Sequence, residues 1–596
     1  MVSTNRSCFR TACTACSAQL WGRYVKTDGV QLSSKALGRA GWHARWFLGL
    51  TAAVLLVVCV VNAWHLRFVQ DDAFISFRYA ANLAAGHGLV FNVGERLEGY
   101  TNFLFTLIIA IPEAAGWNAE QFSYFVGMTG WLLALTATGM IVLRALGGSA
   151  GFALATCVLV ASNYTFRIYA TGGLETSMQA GLLVLFLALL ADPRSLSEQR
   201  SSLPALASVA GAFALLTRLD SAVVVVPAAI VYLLLLFTTS LAWRLKIRRT
   251  VSAAIPALLI VGAYLLWKLY YYGGVLPNTY YAKMSEGDGA AVYGMEYLRA
   301  FFRSYWVWPG ILVVLVVVVS VVWRWLRKDR QELTRSHVFV FLSTVAATAA
   351  WCGYVVHAGG DFMEYRFFVV LIPMLSLFVA GVIALCTRSP ASRTALLLVL
   401  AAAMFLNHRV AGVRPEFVES REQLAGHLDW PQDDWRGIGK RLGELFGEDS
   451  AVTIAIGPAG VIPYFSRLRT IDMLGLNDEW VARHGRYEGA FPGHRRKATL
   501  EYLLRSGTDL VISHPRLLRR EEESPAFHHG PLHACNGFFV PAESYDTLER
   551  VVGARIVRMP VNETHDLLML WLTPDNSDIA RVAKEDAWSV VRVERQ

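Results

Sequence analysis

The sequence is short of charged residues. Asp, Glu, Lys and Arg make up 17% of its 596 residues, whereas hydrophobic residues make up 55%. Soluble domains contain about 25% charged residues. This shortage excludes an ordinary soluble protein over most of the chain and indicates a protein that crosses a membrane several times.

Regular cysteine spacing is also missing. The eight cysteines are too scattered for a disulfide framework, and Cys8, Cys13 and Cys16 lack a fourth ligand at the spacing of a zinc site. The formal net charge is +9, but the basic residues cluster in short loops between apolar blocks. Loops of this kind set membrane topology, so no nucleic-acid partner is expected.

The apolar residues are concentrated between residues 46 and 410. Because a bilayer span needs about 20 apolar residues, they predict about eleven transmembrane helices. A shorter block at 101–116 is expected to dip into the membrane or lie along it. The predicted organisation is a basic cytoplasmic tail (1–45), a transmembrane domain (46–410) and a globular C-terminal domain (411–596). The predicted spans are 46–64, 122–143, 150–166, 176–191, 204–217, 219–239, 251–272, 308–324, 337–356, 367–387 and 394–410.

Positive charge orients these helices. The loops at 240–250 and 324–335 are strongly basic, and such loops stay in the cytoplasm. Counting from them puts the N-terminus in the cytoplasm, and it puts the polar loops and the domain after residue 410 on the external face. ATP and nucleotide sugars are absent there. An enzyme on that face needs an activated substrate that arrives through the membrane, and a lipid-linked donor fits this need.

Two adjacent carboxylates, Asp71 and Asp72, follow the first predicted span by a few residues. They could be the solvated end of a helix. Alternatively, one of them could be the base that a sugar transferase needs to take a proton from the acceptor hydroxyl, because two neighbouring acids repel and one pKa then rises. The segment 74–92 that follows is predicted to be an amphipathic helix on the membrane surface, with Phe74 and Phe77 facing lipid and Arg78 facing water.

The end of this first external loop and four further polar loops on the same face carry side chains of the kinds that bind sugars and phosphates. Carboxylates and amides pair with hydroxyl groups, and basic side chains can neutralise a leaving phosphate. Two loops have a structural alternative, because Arg218 and Asp220 could form a simple ion pair and Glu175 could complement a helix dipole. The candidates for donor or acceptor binding are Glu98, Asn102, Glu175, Arg218, Asp220, Asn278, Lys283, His357, Asp361 and Arg366.

Seven motifs occur in a fixed order along the chain. They are the Asp71–Asp72 pair, FNVGERLEGYTN, GGLETS, RLDS, YYGGVLPNTYYAK, GGDFMEYR and IDMLGLND. This ordered set resembles the mycobacterial AftB arabinofuranosyltransferases and, in the shared core, the pilin arabinosyltransferases. These are membrane glycosyltransferases of the GT-C type. The resemblance implies a polytopic α-helical membrane fold with a periplasmic C-terminal domain, in the inner membrane of a bacterium.

The resemblance also implies a reaction. A sugar, D-arabinofuranose, would pass with inversion from a polyprenyl-phosphate donor to an envelope glycan or glycoprotein. The acidic pair of the first external loop is catalytic in this family, which carries over to Asp71 and Asp72. We expect Asp71 by preference to act as the base, and Lys283 and Arg366 to stabilise the departing phosphate. An aspartate pair could also hold a divalent cation, although nothing in the sequence requires one.

Residues 411–596 are expected to form a small α/β or α+β domain. Strand signals occur at 451–456, 509–515, 555–560 and 566–574, and a helical one at 498–507. Asp472, Asn477 and Asp478 are candidates to reach the acceptor. Two alternatives are a GT-C enzyme that uses another polyprenyl-phosphate sugar and a polytopic transporter of lipid-linked saccharides. A transporter would favour charged or broken helices at mid-membrane, which the sequence lacks.

Overall fold

Apolar helices follow one another through the first two thirds of the chain. A computed structural model describes residues 34–591, except 200, 284–288, 308–333, 388, 408–412, 449, 488, 490, 516 and 523–552. Five of the described helices are long and apolar enough to cross a membrane, and six shorter ones are also apolar. The prediction of a multi-pass membrane protein is confirmed in this coarse form. The expected span at 308–324 lies outside the described residues.

The part of the chain before residue 411 is called the membrane half. Its described helices are numbered in chain order. They are α1 Ser34–His65, α2 Asp71–Ala84, α3 Phe103–Ala115, α4 Ala119–Met140, α5 Ala150–Ser162, α6 Tyr164–Ile168, α7 Thr176–Ala191, α8 Leu203–Thr217, α9 Ala222–Phe237, α10 Trp243–Tyr272, α11 Asn278–Ala282, α12 Gly289–Ser304, α13 Arg335–Ala358, α14 Leu371–Cys386 and α15 Pro390–Phe405.

Small residues allow two of these helices to pack closely. A Cβ atom on Gly181 of α7 would lie 2.4 Å from the backbone oxygen of Gly130 in α4, and one on Gly130 would lie 2.4 Å from the Cα of Met178. Membrane helices gain contact area by such close approach, since lipid offers no hydrophobic driving force between them. The end of α7 that begins at Thr176 is thereby held against α4, next to the loop that carries Glu175.

The part of the chain after residue 410 is called the C-terminal half. Its described residues form a mixed sheet with helices. The helices are α16 Arg421–Asp429, α17 Trp435–Phe446, α18 Val461–Ser466, α19 Glu479–His484, α20 Leu500–Arg505 and α21 Ser577–Glu585. The strands are β1 Thr453–Ile456, β2 Arg469–Asp472, β3 Arg486–Tyr487, β4 Arg496–Lys497, β5 Leu510–Ser513, β6 Leu517–Arg519, β7 Arg555–Pro560, β8 His565–Trp571 and β9 Ser589–Val590. The four strands expected from the sequence are β1, β5, β7 and β8.

The sheet has the order β2-β1-β5-β8-β7-β9, with β6 paired to β8, in the described part of the chain. Strands β2, β1 and β5 are parallel, and β8 joins them antiparallel. The carboxyl ends of parallel strands meet at one edge of a sheet. The segments 457–466 and 473–478 leave β1 and β2 at this edge, and both contact the membrane half.

Helix α2 is buried between the two halves of the protein and does not lie against lipid. Phe74 and Phe77 are at most 1% exposed, and the Phe74 ring lies 5.3 Å from that of Tyr464 in α18. Arg78 is 3% exposed. The prediction that the phenylalanines face lipid and that Arg78 faces water is wrong, because both faces of the helix are covered by residues distant in sequence.

Arg78 joins α2 to the C-terminal half through its guanidinium group. It donates hydrogen bonds to the carbonyl oxygens of Pro463 and Leu468 (2.7 and 2.8 Å) and to the hydroxyl of Thr470. It also donates to the carbonyl oxygen of Phe91 and the side-chain oxygen of Asn92, both in the loop that follows α2. All five acceptors are uncharged oxygens, so the buried cation is stabilised by dipoles.

We predict that Arg78→Met destabilises the protein by about 2–4 kcal/mol, because it leaves several buried oxygens without a donor. The measurement is thermal unfolding of the purified chain in detergent. Arg469→Met is the matched control, since the Arg469–Glu95 pair lies nearby but both side chains are 43% exposed. That control should cost less than about 1 kcal/mol. Equal losses in the two variants would contradict the role given to Arg78.

Candidate active site

Asp71 is the first residue of α2, and its carboxylate contacts the C-terminal half. Its two oxygens accept hydrogen bonds from the backbone N–H groups of Gly460 (3.0 Å) and Val461 (2.7 Å). Burial raises the pKa of Asp71 to about 7, although these two donors oppose the rise. Its neighbour Asp72 raises the pKa further. The Asp71 carboxyl group therefore changes charge near neutral pH.

The turn that meets Asp71 requires glycine at position 460. A Cβ atom there would lie 1.9 Å from the backbone oxygen of Asp71, a distance no packed carbon can occupy. The segment Gly457–Gly460 is the Gly-Pro turn after β1, and it is not a phosphate loop. It approaches α2 backbone to backbone.

Asp72 has a different environment from Asp71. Its carboxylate lies 4.0 Å from the guanidinium group of Arg366, whose Nε forms a 2.7 Å ion pair with Asp361. The Asp72 side chain is 27% exposed, whereas those of Arg366 and Asp361 are at most 8% exposed. Burial raises the pKa of Asp72 above its ordinary value, and the positive charges of Arg366 and Lys283 oppose the rise.

These groups border one cavity between the membrane half and the C-terminal half. Its lining includes Asp71, Asp72, Lys283 and His494, together with the 457–459 turn. Lys283 is exposed and interacts electrostatically with Asp72, whereas burial lowers the pKa of His494. The cavity is therefore lined by two acidic residues from the start of α2 and by Lys283 and His494 from other segments, and Arg366 is not among its lining residues.

A second buried charge cluster adjoins the first. Arg218 forms ion pairs with Glu175 (2.8 Å) and Asp220 (2.7 Å), and Asn102 donates a 2.7 Å hydrogen bond to Glu175. Arg366 interacts electrostatically with both Arg218 and Glu175. The loops before α3, α7 and α9 and the loop after α13 therefore bring the predicted residues into one network. Within it, Glu175 and Asp220 fix the position of Arg218.

Three of the predicted residues lie elsewhere. Glu98 is buried and forms a 2.6 Å ion pair with Lys268 of α10. The Asn278 amide donates to the carbonyl oxygens of Gly475, Leu476 and Asp478, so it holds the segment that contains two cavity-lining leucines. His357 is exposed in the last turn of α13 and is not among the residues that line the cavity.

Several residues in or beside the cavity have no signal in the sequence. Gly460 and Val461 act through backbone N–H groups some 390 positions from Asp71, and no spacing rule connects such positions. His494 and Trp435 line the cavity from segments that read as ordinary soluble sequence. Gln70 precedes the acidic pair directly, and an uncharged side chain at a helix boundary gives no signal in the sequence.

The residues present do not fit a divalent cation at the acidic pair. Both oxygens of Asp71 already accept N–H donors, and Arg366 pairs with both Asp72 and Asp361. A cation bridging these carboxylates would have to displace the guanidinium group. Over the described part of the chain, no group of three or more His, Cys, Asp or Glu is arranged to hold a metal ion.

The chain resembles terminal arabinofuranosyltransferases. It is 30% identical to the terminal beta-(1->2)-arabinofuranosyltransferase of Mycobacterium tuberculosis over 353 residues, which cover 55% of this chain and 54% of that protein. It is 27% identical to the enzyme of the same name from Corynebacterium glutamicum over 339 residues, which cover 53% and 47%. The resemblance expected from the motifs is confirmed. The chain spans about half the length of the curated relatives it matches.

Solved structures share the fold. ArnT from Cupriavidus metallidurans bound to undecaprenyl phosphate matches with a TM-score of 0.52 at 12% identity, over 87% of this chain and 97% of ArnT. The apo form of the same protein matches with a TM-score of 0.53 at 12% identity, over 91% and 99%. The expected GT-C type of fold is confirmed. Residues 424–558 also match a domain of unknown function, DUF8728.

We predict that Gly460→Ala destabilises the protein by about 1–3 kcal/mol, because the added methyl group forces the turn away from α2. Gly457→Ala is the matched control in the same turn, where a Cβ atom would meet the nearest atom at 3.5 Å. Thermal unfolding in detergent compares the two variants. If the Gly460→Ala protein is as stable as the control, the turn does not pack closely against α2.

Proposed function

We propose that this protein is a membrane glycosyltransferase that moves D-arabinofuranose from a polyprenyl-phosphate donor to an envelope glycan or glycoprotein. The observation that carries the proposal is the cavity lined by the acidic pair, Lys283 and His494, with the Arg366 guanidinium group 4.0 Å from Asp72. A transfer from a lipid phosphate needs one group to accept a proton and others to neutralise the phosphate. The names of the curated relatives support the choice of sugar.

The basic residues near Asp72 suit the donor phosphate. Arg366 and Lys283 both interact electrostatically with Asp72. When the anomeric C–O bond breaks, the bonding electron pair remains with the phosphate oxygen, and the two cations stabilise that charge. The fold shared with an undecaprenyl-phosphate-bound ArnT supports a polyprenyl phosphate in this place.

The surroundings of the two aspartates favour Asp72 as the base rather than Asp71. The Asp71 carboxylate is engaged by two backbone donors, whereas Asp72 is partly exposed in the cavity. In the proposed step, the acceptor hydroxyl transfers its proton to Asp72 and its oxygen attacks the anomeric carbon opposite the phosphate. One displacement inverts that carbon. Asp71 positions α2, and burial, together with the charge of Asp361, raises the pKa of Asp72.

We also propose how the protein lies in the membrane. The N-terminus is cytoplasmic, and the cavity and the C-terminal half face the periplasm of a bacterial inner membrane. The basic loop at 240–250 supports this orientation. About eleven crossings follow if α3, which is 13 residues long and contains Pro112, does not span the bilayer.

Asp72→Asn should lower the rate of sugar transfer by roughly 10²–10⁴-fold, because the amide cannot accept the proton. The melting temperature should stay close to that of the wild type. Asp71→Asn is the matched variant, and it should lower both the rate and the stability because the amide disturbs the Gly460–Val461 contact. Transfer from polyprenyl-phosphate arabinofuranose to an arabinofuranosyl oligosaccharide is the assay. Full activity of Asp72→Asn would remove the base assignment.

The wild-type rate should also fall as the pH drops through the pKa of the acidic pair. Burial holds that pKa above the ordinary aspartate value, and a protonated carboxyl group cannot act as a base. The acid limb of the pH–rate profile should therefore lie above the range of an exposed aspartate. An acid limb near pH 4 would contradict the burial of the reacting carboxylate.

The acceptor could bind an open groove beside the cavity. Trp480 and Tyr502 stack at 4.1 Å within this groove, and Asn477, Asp478 and Arg483 also line it. Aromatic faces flanked by carboxylates, amides and guanidinium groups suit a saccharide. Asp472, in contrast, is fully buried and accepts three backbone N–H bonds within its own turn. Asn477 and Asp478 line the groove, but they are only 2% and 8% exposed, and the Asp478 carboxylate already accepts hydrogen bonds from the Val481 N–H and the Tyr502 hydroxyl.

Trp480→Ala should raise KM for a long arabinofuranosyl acceptor roughly tenfold, which corresponds to the loss of one aromatic contact. The value of kcat with a disaccharide acceptor should not change, because the disaccharide does not extend into the groove. Trp243→Ala, which removes an exposed tryptophan at the start of α10, is the control. An unchanged KM for the long acceptor would exclude the groove.

A further inference from the structure

Gln70 is a buried residue with no hydrogen-bond partner for its side chain. It lies directly before Asp71, is 1% exposed and lines the cavity. Neither the oxygen nor the nitrogen of its amide has a partner among the described residues. The side chain does not cap α2 either, although Gln70 occupies the capping position. Both polar atoms of this amide are therefore unused.

An unused amide in this position destabilises the free protein. Buried polar atoms in folded proteins are almost always paired, and an exception calls for an explanation such as a role in binding. An apolar side chain of similar size would pack at this point without the penalty. The amide thus stabilises no part of the free protein through hydrogen bonding. Its two polar atoms are suited to bind a molecule that enters the cavity.

A second unpaired group lines the same cavity from the other half of the chain. The indole N–H of Trp435, the first residue of α17, has no partner among the described residues, and Trp435 is 5% exposed. The faces of its ring are held by neighbours. His427 stacks on it at 4.8 Å, and His514 contacts it edge-on at 5.5 Å. Its single donor is unused and, like the Gln70 amide, is closed to solvent in the free protein.

We infer that Gln70 and Trp435 recognise the hydroxyl groups of the sugar in the cavity. This inference rests on the proposed function. An amide donates one hydrogen bond and accepts another, so it matches two neighbouring hydroxyls, each of which can do either. The indole N–H adds one donor. The ligand class is a neutral polyhydroxylated ring, since a phosphate would be bound by the cations Arg366 and Lys283.

Recognition requires a small movement. The unpaired atoms of Gln70 are closed to solvent in the free protein. Glutamine has three rotatable side-chain bonds, so the amide can turn toward the cavity when a ring enters. The hydrogen bonds formed with the sugar then give these polar atoms the partners that they lack in the free protein. Polyprenyl phosphate without its sugar gives no such gain.

The test compares the binding of two lipids to the full-length protein in detergent. Gln70→Met keeps the length of the side chain and removes both polar atoms. It should weaken binding of polyprenyl-phosphate arabinofuranose roughly tenfold to a hundredfold and leave binding of sugar-free polyprenyl phosphate unchanged. Trp435→Phe should act in the same direction. Equal effects on both lipids, or no effect on either, would overturn the inference.

Thermal unfolding without ligand gives a second readout. Gln70→Met should melt at the same temperature as the wild type or higher, because it removes two unpaired buried atoms. Gln179→Met is the matched control, since Gln179 is 2% exposed but its amide donates to Asp220 and Ser221. That control should melt lower. A lower melting temperature for Gln70→Met would assign the amide a structural role. A wild type that binds neither lipid would instead contradict the proposed function.

Discussion

The contact between α2 and the segment that follows β1 determines the rest of the site. Two backbone N–H groups of that segment donate to the Asp71 carboxylate, and about two helical turns later the Arg78 guanidinium donates to the carbonyl oxygens of Pro463 and Leu468. Both contacts join residues about 390 positions apart. They fix the rotation of α2, and this rotation directs Asp72 into the cavity. The membrane half and the C-terminal half therefore act as one site.

The charges in this site are balanced in a way that suits a charged substrate. Arg218 is held by two carboxylates, and Arg366 is held by Asp361 and, at a longer distance, by Asp72. Buried charges cost free energy unless they are paired. The ion pairs of the network offset this cost, and Lys283 lines the cavity beside it. A phosphate entering there would find cations that are already in position, which is how preorganised sites lower a barrier.

Much of this could be predicted from local features of the sequence. The shortage of charge and the apolar blocks predicted a multi-pass membrane protein, and polar loops between spans predicted Asp72, Lys283, Asp361 and Arg366 near one another. The face of α2 was predicted wrongly, because amphipathicity cannot distinguish lipid from a distant apolar segment. Glu98 and Asn278 resembled binding residues but pair within the protein. Backbone donors such as Gly460 and uncharged groups such as Gln70 have no local signature.

Transfer by the purified protein in liposomes tests the central claim most directly. Radiolabelled polyprenyl-phosphate arabinofuranose and an arabinofuranosyl oligosaccharide are supplied, and label in the oligosaccharide and free polyprenyl phosphate are both measured. The account predicts that the two products appear in equal amounts and that the new bond has the inverted configuration. A correctly folded protein that yields neither product, or a product with retained configuration, would contradict it.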